Sequence, residues 1–159
     1  AQGGTVFATD WAAQFLEKLK VPGLEFHKRV GRRGHFRAEV VDRELRELMA
    51  CDRLQLHFDQ PEWVPARTIP ASARVLLRGT VSARAGILRW KRLRNTPLAF
   101  WFPWGKGRVF FASFHNHAQA TELERALLSS FVIKTIAVAT GMTMQQVITE
   151  RRLSERLRL

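Results

Sequence analysis

His115, Asn116, His117 and Gln119 stand together in "FHNHAQ", directly after the apolar run "RVFFAS" and just before the capping signal of a helix. An imidazole titrates near neutrality and can move protons, and a neighbouring carboxylate can orient it or share the work. Two carboxylates are candidates: Asp10, with Trp11 beside it, ends "TVFAT", and Asp59 ends "RLQLHF". In a doubly wound sheet, ligands collect beyond the carboxyl ends of the strands. Asp10, Asp59 and His115 could therefore face one crevice and serve a hydrolytic reaction. The plainer reading is that Asp10 caps its helix, Asp59 caps a turn before Pro61, and His115 and Asn116 satisfy loop backbone groups. A metal held by His115, His117 and a carboxylate would need three or four convergent ligands, and the i, i+2 spacing aligns two histidines only on a strand. No metal and no cofactor are expected.

A second constellation mixes cations with aromatics. Arg32 and Arg33 lie in "GRRGHF"; Arg89, Trp90, Lys91, Arg92 and Arg94 lie in "RWKRLRN"; Lys106 lies in "WGKGR". Arginines and lysines can neutralise phosphates while a tryptophan stacks on a base. The chain carries 26 Lys plus Arg against 14 Asp plus Glu, a formal charge of +12, which favours polyanionic partners through long-range attraction. The simpler reading makes these arginines a solvated face and Trp101 and Trp104 core residues.

These groups are positioned by an alternation of strands and helices. Thr5 to Ala8 reads as a strand, and Asp10 as the N-cap of a helix with Trp11, Phe15 and Leu19 at helical spacing. "VPGLEF" and "GRRGHFRAEVV" each contain a strand, and Asp42 caps a short helix, "RELRELMA". "RLQLHF" alternates apolar and polar residues, the period of a half-buried strand. "ARVLLRGTV" is a continuous apolar run that suits a strand buried on both faces of a parallel sheet. The connection "SARAGILRWKRLRN" stays unassigned. "PLAFWFPWGKGRVFFASF" reads as a hairpin. Thr121 with Glu124, and Thr143 with Gln146, form capping boxes that open two helices separated at Gly141. Leu123, Leu127, Phe131 and Val132 mark the inward stripe of the first helix, and Val147 and Ile148 that of the second. The C-terminal "ERRLSERLRL" could dock on an acidic groove.

"GGTVFATDWA", "LHFDQPEW" and "PLAFWFPWGKGRVFFASFHNHAQATELERALL", in this order, resemble the class I glutamine amidotransferase-like domains, in particular a non-enzymatic bacterial branch. The resemblance implies a flavodoxin-like three-layer sandwich: a mainly parallel sheet, a C-terminal hairpin and two C-terminal helices. In catalytic relatives a cysteine on a strained strand-to-helix turn attacks the amide, activated by a histidine that a carboxylate orients. The matching turn here is "FATDWA", which offers Thr9, Asp10 or Trp11 and no thiol. The only cysteine, Cys51, lies far from it in sequence and reads as a small buried hydrophobe. Glutaminase activity is therefore not expected. The family pattern also has further strand-helix units before the "GG" strand, which implies that the domain works within a larger protein or assembly.

The 159 residues suit one α/β domain, residues 1–159, with a substantial core. One cysteine cannot form an internal disulfide, and the most apolar stretch, "LLSSFVIKTIAVATGM", is shorter than a membrane span and carries Lys134. The expectation is a cytoplasmic protein with a protein partner or further chain, nucleic acid as an alternative partner, and no membrane.

Overall fold

The computed structural model describes residues 3–28, 31–61, 63–84, 89–115 and 122–151. Among them the elements run β1 (Thr5–Thr9), α1 (Ala13–Lys18), β2 (Glu25–Phe26), β3 (Gly34–Val40), α2 (Arg43–Met49), β4 (Arg53–Phe58), β5 (Ala66–Thr68), β6 (Arg74–Arg84), β7 (Trp90–Trp104), β8 (Gly107–Ala112), α3 (Glu122–Thr140) and α4 (Met144–Arg151). A 3₁₀ turn, Asp10–Ala12, joins β1 to α1. The main sheet has the order β1-β8-β7-β6-β3-β4, and β2 pairs with β5 in a separate two-stranded ribbon.

Among the described strands only the β1–β8 pair of the main sheet is parallel, and the sheet is a strongly curled half-barrel. The expected flavodoxin-like sandwich with a mainly parallel sheet is thus overturned. The reason lies in "SARAGILRWKRLRN". "WKRLRN" is the first half of β7, which folds back on β6 from Arg84↔Trp90 to Arg74↔Trp101. β6 ends at Arg84 and β7 begins at Trp90, too close in sequence for the dozen or more residues that a parallel crossover needs. Nor is β6 buried on both faces as its apolar run suggests: Leu76, Leu77 and Val81 enter the helix-covered core, while Arg74 and Thr80 are exposed.

Register shifts in the β6–β7 ladder lie between Val75 and Leu77, between Leu77 and Arg78, and between Gly79 and Val81. Such bulges bend strands and increase twist, which curls the sheet. Gly79 permits the close approach this needs: a Cβ there would meet Leu98 Cδ1 at 2.7 Å and the Arg37 carbonyl oxygen at 2.8 Å.

Each face of the sheet has its own core. α2, α3 and α4 bury Leu45, Phe131, Met144 and Val147 against Val40, Leu56, Leu77 and Phe110. α1 and the β2–β5 ribbon bury Leu16, Phe26 and Ala66 against Phe100, Phe102 and Phe111. Strand alternation works as read in β4, where Leu54, Leu56 and Phe58 are buried while Arg53 and Gln55 are exposed.

Several local signals hold. Asp42 accepts a hydrogen bond from Leu45 N at 3.0 Å. Thr143 and Gln146 cap each other reciprocally, at 2.8 Å from Thr143 N to Gln146 Oε1 and 3.2 Å from Gln146 N to Thr143 Oγ1. Gly141, at φ +75°, closes α3, and Met142 N reaches back to the Ala137 carbonyl. Val147 and Ile148 face inward as expected. Thr121 and residues 152–159 lie outside the described residues.

Two stripes differ. Trp11, Phe15 and Leu19 point outward, 45%, 69% and 56% exposed, because Ala13 and Leu16 carry the buried side of α1. Val132 on α3 is also exposed. Cys51 is half-buried against the helix-covered core, and burial pushes its thiol pKa up. Among the described residues no single helix is long and apolar enough to cross a membrane.

Candidate functional site

The curl of the sheet decides the geometry of the site. β1 and β4 are opposite ends of the strand order. Yet the residue after each of them, Asp10 and Asp59, reaches the same imidazole. His115 stands three residues beyond β8, after Ser113 and Phe114. Its Nδ1 lies 3.0 Å from Asp59 Oδ1 and 3.3 Å from Asp59 Oδ2, and its Nε2 lies 3.3 Å from Asp10 Oδ2. Ring packing holds this end of the half-barrel together, with Phe58 5.8 Å from Phe114 and Phe114 6.5 Å from Phe131.

The two carboxylates differ in kind. Asp59 keeps 22% of its side chain exposed, bonds His115, and accepts 3.3 Å from Gln60 Nε2. Burial alone would raise its pKa, but the His115 hydrogen bond, its own backbone N–H and the imidazole charge hold it below the usual carboxylate range. Asp10 is only 2% exposed, and neither Oδ1 nor Oδ2 has a hydrogen-bond partner among the described residues. The 3.3 Å approach of His115 Nε2 is therefore an electrostatic contact without hydrogen-bond alignment. Burial, the largest influence, raises the Asp10 pKa; the imidazole lowers it and the Asp59 charge raises it, with a net upward shift.

The Asp10 backbone sits at φ +44°, in the left-handed region that a non-glycine residue rarely occupies and that aspartate tolerates better than most. The cap expected of Asp10 is absent. Neither the 3₁₀ turn nor α1 carries a side-chain cap. The structure thus aims a carboxylate inward with no local hydrogen bond to account for it. Asp59 likewise serves His115 and not only its own turn.

Chemically, with Asp59 accepting from Nδ1–H, a proton on either Nε2 or Asp10 lies between those two groups, an arrangement that can shuttle a proton. Environments that push two nearby carboxyl pKa values apart also mark acid and base roles. Among the described residues no group of three His, Cys, Asp or Glu side chains is arranged to hold a metal ion. Asn116, His117 and Gln119 lie outside the described residues. Trp11, 45% exposed, follows Asp10 on the 3₁₀ turn.

The basic candidates spread over two regions. Lys106 occupies the β7–β8 turn. Arg32 gathers with the start of β7 because its N–H bonds the Ser82 carbonyl and its guanidinium lies 5.9 Å from the Trp90 ring. Arg33, Arg89, Lys91, Arg92 and Arg94 are exposed. The sequence reading missed a third group, Arg37, Arg53 and Arg78, because each sits singly in a strand. Their shared face appears only once β3, β4 and β6 pair. The polar side of the alternating segments "HFRAEV" and "RLQLHF" was the available signal.

No family model, no curated protein and no solved structure matches this chain.

Proposed function

We propose that the chain is a non-catalytic recognition and assembly module in which a partner strand pairs with the open edge of β1 and presents a hydrogen-bond donor to Asp10. The observation that carries it is the Asp10 carboxylate, 2% exposed with both oxygens lacking a donor among the described residues. A buried polar group without a partner costs roughly 1–3 kcal/mol, and a charged one more. A donor arriving with a partner would recover that cost.

The surroundings favour the β1 edge as the donor's origin. Among the described residues β1 pairs only with β8, so its other edge offers free backbone groups, the usual template for another strand. Val6 and Phe7 on that strand are 57% and 41% exposed. Phe15 and Leu19 of α1 flank one face of the sheet. On the other face, Phe7 lies 6.3 Å from Phe131, beside the exposed Leu128 and Val132 of α3. A strand with apolar cover for both faces fits this edge. The lack of a thiol at the β1–α1 turn speaks against amide hydrolysis through a covalent thioester.

The test places a photo-crosslinking amino acid at Phe7 in the chain, identifies the crosslinked protein in host lysate, and repeats the binding with purified components. Affinity should fall at least tenfold in Phe7→Lys and in Asp10→Asn. Binding that ignores both substitutions refutes the reading. A dimer of this chain dissolved by Phe7→Lys would identify a second copy as the occupant.

The convergence of His115 on two carboxylates favours one alternative, a hydrolase. In it Asp59 holds the imidazole, Nε2 takes a proton from water, and Asp10 acts as the acid towards the leaving group. Ester or amide turnover abolished by both Asp10→Asn and His115→Ala would establish this in place of the first reading.

A further inference from the structure

We propose that the open face of β3, β4, β6 and the first half of β7 binds the phosphates of single-stranded nucleic acid. The helix-free side of these strands is identifiable by alternation. Arg37 and Glu39 alternate with buried Ala38 and Val40, and Arg53 alternates with buried Leu54. α1 and the β2–β5 ribbon cover this same side only over β1, β8 and the second half of β7, leaving the rest exposed.

A cleft of about 470 Å³ runs across the open part, lined by Arg37, Arg53, Arg78 and Arg92. Among the described residues Glu39 is the one carboxylate lining it, opposite Arg53 on one side and Arg78 on the other. Four cations around one anion leave an uncompensated positive surface. None of these four arginines makes an ion pair among the described residues. Arg78, which lines the cleft, has an Nε buried without an acceptor among the described residues, so no protein acceptor among them engages that nitrogen. The planar guanidinium fork is the side-chain group best shaped to bind phosphate oxygens.

An extended ligand is favoured over a single small anion. Arg53 and Arg92 stand on β4 and β7, separated by β3 and β6, so three inter-strand gaps of about 4.8 Å each set the cations across roughly 14 Å. At the β7 end, Trp90 shares the face of Arg92, two residues along an unshifted ladder, and is 45% exposed. Arg32 lies beside it. Phosphate-binding cations leading to an exposed ring form the combination that single-stranded nucleic acids use, since every base offers a face for stacking.

The test measures fluorescence anisotropy of labelled oligo(U) and oligo(dT) with the whole chain over a salt series. Binding should weaken linearly in log–log form with rising salt. Arg37→Ala/Arg53→Ala, both at exposed positions, should lower affinity by roughly tenfold or more and reduce the salt slope by about 0.7 for each phosphate no longer neutralised. Trp90→Ala should weaken binding and leave the slope unchanged. Unaltered affinity in the double variant overturns the proposal. So does pyrophosphate binding as tightly as the oligonucleotide, which would make this a small-anion site. Polyglutamate competing as well as oligo(U), with Trp90→Ala silent, would reduce the face to a general cationic surface and overturn it too.

Discussion

Replacing Asp10 by Asn should stabilise the isolated domain, the reverse of what most buried-site substitutions do. Asn keeps the shape and tolerates φ +44°, so the backbone is not the variable. What changes is the charge of a carboxyl that is 2% exposed and lacks aligned donors among the described residues. Asn keeps a buried polar group and adds an NH₂, so what is recovered is the excess cost of burying a charge over a neutral amide, about 1–3 kcal/mol. The lost attraction to His115, 3.3 Å away, subtracts from this, leaving a net gain of roughly 1–2 kcal/mol at pH 7. In a domain of this size that is about 2–8 °C in Tm.

The pH dependence distinguishes this cause from a generic packing effect. The folded-state pKa of Asp10 is raised above 3.8, so the folded protein holds that proton at pH values where the unfolded chain has released it. Asp10 therefore favours folding below its unfolded pKa, and that contribution is lost as pH rises through the folded pKa. The advantage of Asp10→Asn should be small at the acidic end and grow up to pH 7. Thermal melts of both proteins from pH 4 to pH 7 measure it. Asp10→Asn destabilising by 1 kcal/mol or more (~1.4 kcal/mol is tenfold in the folding constant) at pH 7 would refute the argument and make Asp10 a structural clasp.

Three other substitutions probe the same geometry. Asp59→Asn removes a carboxylate whose folded pKa is lowered, so it should cost about 1–2 kcal/mol at pH 7, and the difference from the parent should shrink as pH falls through that folded pKa, read by urea melts at several pH values. Lys134→Met leaves Asp42 and Glu44, which the buried ammonium bonds at 3.0 Å and 2.6 Å, without their shared cation; a loss of about 3 kcal/mol is expected by chemical denaturation, and no loss would show that water solvates the two acids instead. Gly79→Ala drives a methyl group against Leu98 and the Arg37 carbonyl, so it should cost about 1–3 kcal/mol and broaden the amide signals of β3 and β6, while a silent variant would mean that these strands part easily.

Local chemistry was legible in the sequence where a short-range rule fixed it. The caps at Asp42 and Thr143, the stop at Gly141 and the alternation of β4 depend on neighbours within a few residues. The sheet was not legible in that way. A continuous apolar run such as "ARVLLRGTV" is silent about direction and about how many faces are covered: the pairing of β7 along β6 makes it antiparallel, and Leu76, Leu77 and Val81 enter the helix-covered core while Arg74 and Thr80 stay exposed. The site lay between these cases. Asp10, Asp59 and His115 were each visible as strand-end polar residues, but the expected reason for their meeting was a parallel sheet with all carboxyl ends on one side. They meet instead because bulges in β6–β7 curl an antiparallel sheet until its first and last strands face one imidazole. The two acids then differ by their partners: Asp59 bonds Gln60 as well as His115, whereas Asp10, the first residue of the 3₁₀ turn, is 2% exposed and faces the imidazole without an aligned donor among the described residues.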